Sequence, residues 1–433
     1  MHSRITNILN ESSQLQNRQC LILKLFVISM FFEIFSFSLF ENLDVTFFIL
    51  LMIPNFIVGL FLFITQKLFL TKSSFIALIM CGYLVLNHFI TGAENTSSLL
   101  LSLAFLGTAL LLNPVVHEKD YNKLIQLFQL IINITAIYGI IQFFVRLQPG
   151  YSGFFDIKTF LEEIGHFTKG YNWTNPVSIG ELLVWRSNSI YLEPSFFSQV
   201  LAINIVLYLN RMLHKEENHS PKTYTTVLIN FIAFVLSFSG TGILVLCGGL
   251  ILILLDWLKE KKIKKAFQTA LGISIFAIIL ICILYLLNIL DYFIGRLGEF
   301  SNVRSSGYTR ISSTFEFISV AWKDNFLFGS GIGTIKEYAT QVSTGQWFSE
   351  GNGVTFVAVS MGFIGLVLWL VFLYKLKTLD NGKNTNIKSL YFSLFPLLLC
   401  SSAFHDNLFW IFIMMINVKI IYGNEVNNAK ICN

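Results

Sequence analysis

Stretches of about twenty apolar residues, nearly free of Arg, Lys, Asp and Glu, recur along this chain and leave few folds open to it. The hydrocarbon core of a bilayer is crossed by roughly 20 residues of helix. With no water there, every backbone amide and carbonyl must be satisfied internally, as it is in a helix. Such stretches begin near residues 21, 45, 74, 97, 124 and 190, and again near 224, 241, 266, 353, 389 and 407. The pattern predicts an all-α polytopic integral membrane protein with about twelve transmembrane helices, forming one membrane domain over residues 1–433. Composition agrees: 13% of the residues are charged and 54% hydrophobic. Soluble domains carry about 25% charged residues, so these side chains are too few to cover a water-facing surface. The first stretch, Leu21–Phe40, exceeds a signal-peptide core and precedes no small-residue cleavage site, so it is expected to remain as the first span.

Charge placement orients the spans. Arg4 and Arg18 precede the first; Lys67 and Lys72 follow the second; Arg211, Lys215 and Lys222 follow the sixth. The run Lys259–Lys265 and the group Lys375, Lys377, Lys383 and Lys388 lie on the same side. Positive loops stay in the cytoplasm, which predicts cytoplasmic termini. The net charge of +5 is therefore topological, with no basic domain to engage nucleic acid. Six cysteines are scattered without ligand-like spacing, and no metal site or disulfide framework is predicted.

Two connections, 146–189 and 291–352, are long and polar and fall on the outer side. Connections of that length are usually functional. They hold Arg146, Arg186, Arg296, Arg304 and Arg310, which positive-inside topology does not explain. Arg186 is followed by Glu193-Pro194-Ser195-Phe-Phe-Ser198, leading into the sixth span. Pro194 suits a first helical turn, and the free amides there, with Arg186, suit an anionic group. Glu193 either complements the helix dipole or takes a proton from a sugar hydroxyl. Arg296, Arg304 and Arg310, with Tyr308 and Glu316, make a second group; the guanidinium fork matches phosphate oxygens, and the alternative is a solvated loop. Trp322–Gly333 reads as a glycine-rich tight turn. Asn352 is an N-cap or a substrate contact; Gly362 and Gly365, within the tenth span, permit close helix packing. His405 and Asp406 stand between the last two spans as a structural turn or a proton-transfer pair.

These residues resemble a family. The Arg186…Glu193-Pro-Ser-Phe-Phe-Ser element, the Arg310…Trp322…Gly329-Ser-Gly-Ile-Gly333 segment and the architecture of many spans with two enlarged outer loops are similar to bacterial O-antigen polymerases of the Wzy type. Related O-antigen ligases carry a His-Asn/Ser pair, nine residues, then Gly-x-x-Gly. Here Asn352, the spacing, Gly362 and Gly365 are kept, while Gly351 stands where the ligase His would be.

The resemblance implies a GT-C-like glycosyltransferase in the bacterial inner membrane with two enlarged periplasmic loops. It would join undecaprenyl-diphosphate-linked oligosaccharide units at the periplasmic face into O-antigen or a related polysaccharide. Arg186 and Arg310 would stabilise the leaving diphosphate and Glu193 would act as general base, with Arg296, Arg304, Tyr308, Asn352 and His405 binding substrate. It implies no cofactor and no metal; partners would be the lipid-linked substrates, the bilayer, and a chain-length regulator and flippase. The alternatives are an O-antigen ligase and a lipid-linked oligosaccharide flippase. A transporter of that kind is expected to place its ionisable residues along a central cavity, whereas these spans are nearly free of Arg and Lys.

Overall fold

The computed structural model describes residues 18–32, 35–40, 43–65, 71–147, 166–167, 176–179, 182–214, 220–259, 267, 285, 290–298, 301–302, 305, 307–335, 351–377, 384–401, 404 and 406–421. Helices dominate. They are α1 (18–29), α2 (Phe47–Ile64), α3 (Lys72–Thr91), α4 (Thr96–Leu111), α5 (Glu118–Arg146), α6 (Pro194–Leu213), α7 (Pro221–Leu236), α8 (Gly240–Lys259), α9 (Leu290–Leu297), α10 (Thr314–Asn325), α11 (Gly353–Lys377), α12 (Thr385–Leu398) and α13 (Asn407–Ile416). Eleven of the predicted apolar stretches coincide with one of them; the stretch near 266 lies outside the described residues. Five, α3, α5, α6, α8 and α11, are long and apolar enough to cross a membrane, and α2, α4, α7 and α13 are apolar but shorter. The starts follow from side-chain chemistry. Thr46, Thr71, Asn95, Ser220, Asn384 and Asp406 each precede an apolar run and accept a bond from a first-turn amide.

The first predicted span is corrected at its end. Its helix stops by Phe32, and Phe35–Phe40 forms strand β1. The run Phe-Ser-Phe-Ser has the two-residue period of a strand, and β1 pairs antiparallel with β2 (Leu43–Thr46) in the register Phe37 to Val45. A third strand, β4 (His166–Phe167), joins the other edge, giving the order β2-β1-β4. Between β2 and β4 in sequence, β3 (Val115–His117) pairs in parallel with β7 (Lys419–Ile421), tying the start of α5 to the segment after α13. A hairpin, β5 (Pro176–Ile179) and β6 (Leu182–Trp185), buries Val177 and Val184 against Phe143 of α5 and Phe238. The second long connection is not all loop: it contains α9, a π-helical turn over Tyr308–Ser312 and α10.

α6 is the central helix, packed against α7, α8 and α12. Small residues bring these helices close. A Cβ on Gly242 would stand 2.6 Å from Ser198, and one on Gly248 would meet Pro396. Around the outside, Phe61, Ile64, Phe75, Leu86 and Phe89 are exposed, as lipid-facing residues are. At the end where α3 starts, Thr71, Ser73, Ser74, Asn113 and Asn417 form one buried hydrogen-bonded cluster. Nearby in the same layer, Lys388 of α12 bonds Asp256 of α8 at 3.0 Å.

α11 is broken. Gly362 has φ 64° and ψ −166°, which interrupts the helical ladder. In an apolar helix the freed groups need other partners, and the turn 326–331 supplies them. The amides of Ser330 and Gly331 bond the carbonyls of Val359 and Ser360, and the amides of Phe363 and Ile364 bond the carbonyls of Phe326 and Leu327. Trp322 Nε1 donates to Ala358 O at 2.9 Å and Tyr83 Oη to Met361 O at 2.5 Å. The glycine-rich segment is the expected tight turn, and its work is to complete the broken helix. Gly362 is needed for its left-handed φ and for the approach of the Gly329 amide, which leaves no room for a Cβ there.

Candidate active site at the open ends of α6, α11 and α13

Three groups of polar residues gather where α6, α11 and α13 begin. The first is built on α5. Its last residue, Arg146, which the sequence places in the loop, is buried; Nη1 donates to the Arg186 carbonyl at 2.7 Å and Nη2 to Asn188 Oδ1 at 3.3 Å. One turn below, Gln142 Oε1 accepts from Ser187 Oγ and from the amides of Asn188 and Ser189. Ser189 holds a left-handed φ of 53° and donates to Thr135 O. The segment 186–191 is thus a folded buried loop, pinned so that half-buried Arg186 leads into α6. Pro194 occupies the first turn as expected, and Glu193 is the cap residue, yet its carboxylate bonds no α6 amide. Instead Ser195 Oγ donates to Glu193 Oε2 at 2.6 Å. Glu193 therefore keeps an acceptor function at a helix N-terminus, where negative charge is favoured.

The second group centres on Asn352. Its Oδ1 accepts from the amides of Val354 and Thr355, capping α11, while Nδ2 donates to the Arg310 carbonyl at 2.5 Å and to Thr314 Oγ1 at 3.0 Å. Thr355 Oγ1 adds a bond to Thr314 Oγ1 at 3.1 Å. Arg310 sits in the π-helical turn, a form often found at functional sites, with its side chain partly exposed. Asn352 is the cap that one of its two readings expects, and its second arm holds the Arg310 turn. Tyr308 Oη donates to both oxygens of Glu316, at 3.3 and 3.2 Å, so this carboxylate is engaged by the phenol. Burial and the Glu316 carboxylate raise the Tyr308 pKa. Gly351, at the position of the ligase His, has φ 71°, a conformation that opposes a side chain.

The third group is the turn before α13. Asp406 is buried at 6% exposure; its Oδ1 accepts from the Leu408 amide at 2.9 Å. Oδ2 is buried with no hydrogen-bond partner among the described residues. Burial pushes this carboxyl up to about 6, against the opposing pull of the Leu408 and Phe409 amides, Ser401 and the Arg310 charge. The stacked rings of Phe356, one turn into α11, and Phe404 hold the two parts together.

Of the predicted residues, the structure brings Arg310 and Asn352 into contact, with Tyr308 two residues from Arg310 in the same turn, and puts Arg186 and Glu193 on the α5–α6 loop. Arg304 and His405 lie outside the described residues, as does the side chain of Arg296, whose backbone belongs to α9. Sequence reasoning did not single out Gln142; it placed Arg146 in the outer connection and Asp406 in a turn beside His405 without the burial of either. A polar residue one turn before the end of an apolar helix was the available signal for Gln142. No group of His, Cys, Asp and Glu able to hold a metal occurs among the described residues.

This is the form of a multi-pass helical membrane protein, with Arg310 and Asn352 held together at the start of α11. Residues 225–370 match the family described as O-Antigen ligase (Wzy_C), consistent with the O-antigen polymerase and ligase superfamily. The matched segment covers α7 to the body of α11, about a third of the chain, and includes Arg310, Asn352, Gly362 and Gly365 but not Arg186, Glu193 or Asp406. Members of that family are enzymes of polysaccharide and glycoconjugate assembly, and the match supports polymerase- or ligase-type activity in general. No curated protein matches the chain.

Proposed function

We propose that the protein is a polysaccharide polymerase of the inner membrane, with about twelve spans, a GT-C-like architecture and cytoplasmic termini. It would act on oligosaccharide units carried by undecaprenyl diphosphate, at the periplasmic face. A hydroxyl of the acceptor unit attacks the anomeric carbon of the donor chain. The new glycosidic bond forms as the bond to the lipid diphosphate breaks, and the hydroxyl proton passes to a base. The leaving diphosphate gathers negative charge, so its stabilisation is the main electrostatic task. Arg310 and Arg186 suit that task through bidentate donors; Glu193 suits the base. The observation that carries this reading is the clamp of Asn352 on Arg310, which presents a guanidinium on a rigid turn. Polymerase is favoured over ligase because Gly351, at φ 71°, stands in place of the ligase histidine. Arg296, Arg304, Tyr308 and His405 remain proposed substrate contacts, and a chain-length regulator and a flippase proposed partners.

A gel of the surface glycan from a strain lacking the gene tests the reading. A ladder collapsed to core plus one repeat unit is expected. Loss of every repeat, with lipid-linked polymer accumulating, would replace polymerase by ligase. Complementation with Arg310→Ala is expected to leave only single units, with the protein still inserted. Arg310→Lys is expected to give shortened chains, since a point charge does not replace the fork. Full-length polymer from Arg310→Ala would remove this arginine from the site.

A further inference from the structure

We propose that residues 314–333 form a re-entrant hairpin, which descends into the membrane beside α11, turns at half depth and climbs back along α3. In it, α10 turns one flank to lipid acyl chains and the other to a water-filled recess below Arg310.

α10 and the first part of α11 run side by side in the same direction. At the top, Asn352 Nδ2 donates to Thr314 Oγ1 at 3.0 Å. Further along, Trp322 Nε1 donates to Ala358 O at 2.9 Å. At the break, the amides of Phe363 and Ile364 bond the carbonyls of Phe326 and Leu327 at 2.9 and 3.2 Å. From there the chain goes back. The Phe328 ring faces Tyr83 of α3, and the Phe328 carbonyl accepts from Asn87 Nδ2. Gly331 then lies so close to Thr91 that a Cβ would stand 2.6 Å from its Oγ1, and Gly333 lies against Asn95. These contacts advance along α3 toward the end that leads to α4.

Both neighbours place the turn inside the bilayer. α11 is uncharged from Gly353 to Tyr374, and Lys375 follows. Below the break only residues 363–374 precede that lysine, about 18 Å of helix, which is too short to cross a core of about 30 Å. The residues above Gly362 must therefore cross as well, and α10 lies alongside them. α3 has 20 residues and likewise needs its whole length, with Tyr83 and Asn87 in its second half. The turn stands about 15 Å below Asn352, half of the hydrocarbon thickness. Its amides and carbonyls are answered by α11 and α3, as lipid demands of irregular chain.

The two flanks of α10 differ. Above the break α11 is covered, with Phe356 to Val359 and Met361 buried. Below it, Phe363, Val367, Leu370 and Tyr374 form one exposed stripe at helical spacing, as on a lipid-facing helix. The stripe does not end at Gly362 but passes to α10. Phe326 stacks on Phe363 at 5.1 Å, Trp322 meets Phe326 edge-on at 4.9 Å, and exposed Phe315 lies two turns further along the same flank. On the neighbouring flank Glu316, Ser319 and Lys323, with Asp324 next to it, are exposed. Charged groups are expensive in hydrocarbon, so this flank meets water that reaches down from the turn where Tyr308 bonds Glu316. With Arg310 read as the diphosphate ligand, such a partition leaves the lipid tail among acyl chains while the polar head enters the recess.

Nitroxide labels placed singly in the full-length protein, with its six native cysteines replaced, test this in phosphatidylcholine–phosphatidylglycerol vesicles. Oxygen reports lipid, and a water-soluble nickel chelate reports water. Labels at Phe315→Cys and Phe326→Cys are expected to match one at Val367→Cys, with the oxygen-to-nickel ratio about fivefold or more above that at Ser301→Cys. Labels at Ser319→Cys and Lys323→Cys are expected to stay as open to nickel as Ser301→Cys. Two positions on each flank keep the test decisive if one variant does not fold. Nickel access at Phe315→Cys and Phe326→Cys equal to that at Ser301→Cys puts α10 outside the membrane and overturns the hairpin. Oxygen-dominated labels at Ser319→Cys and Lys323→Cys remove the recess and overturn the partition. Neither result depends on the role of Arg310, which the glycan gel of Arg310→Ala decides separately.

Discussion

Asn352 divides its two ends between two tasks, and substitutions can separate them. Its oxygen starts α11 and its nitrogen holds Arg310 and Thr314. Asn352→Ala removes both and is expected to cost about 1–2 kcal/mol of stability with loss of long polymer. Asn352→Asp keeps the capping oxygen but turns an acceptor toward the Arg310 carbonyl. It is expected to shorten the polymer about as severely, although the helix start survives. Thermal unfolding in detergent and a glycan gel read the two effects; normal polymer from both variants would show that the clamp does not position Arg310. At this scale the sequence was readable in part. Asn352 was visible as a cap because an apolar run follows it. That its other arm reaches a residue 42 positions away was not. Asp406 was visible only as half of a His-Asp turn, since burial, which makes its charge unusual, is a property of the packed molecule.

At the scale of the element, the helices were legible because lipid imposes a uniform demand for apolar length. β1 was not, because Phe35–Phe40 meets that demand in composition while its alternation meets the demand of a strand. The break in α11 was hidden for a related reason. Gly362 and Gly365 look alike in sequence, and only the partner turn shows that Gly362 carries the left-handed conformation. The nine residues between Asn352 and Gly362 now have a physical meaning. They form a short helical strut, fastened at one end to the Arg310 turn and at the other to the turn 326–331. Gly362→Ala is expected to destabilise by about 3 kcal/mol or more, since both φ and the adjacent backbone forbid a Cβ. Gly82→Ala, with nothing within 4 Å of its Cβ, is expected to be neutral or to gain up to about 1 kcal/mol. Equal unfolding temperatures for the two variants would contradict the interlock.

For the whole molecule, the site stands at one end of the bundle and the Thr71–Asn113–Asn417 cluster at the other. If the site faces outward, a cysteine at exposed Ser301 reacts with a membrane-impermeant maleimide in intact spheroplasts. A cysteine at Lys222, at the start of α7, reacts only after the membrane is opened. The reverse pattern would invert the orientation and place the chemistry in the cytoplasm.

The interlock of α11 with the turn 326–331 also bears on how the chain enters the membrane. Synthesis runs from the amino end, so the turn is made before the residues it must bond, 359–364. Neither partner is complete by itself: the turn has unanswered amides and carbonyls, and α11 has a gap in its ladder. The two halves of this unit cannot be settled one after the other as independent spans. Their assembly waits for the later one, which makes the closing of this joint a late event in biogenesis and a point at which a truncated chain is exposed to quality control.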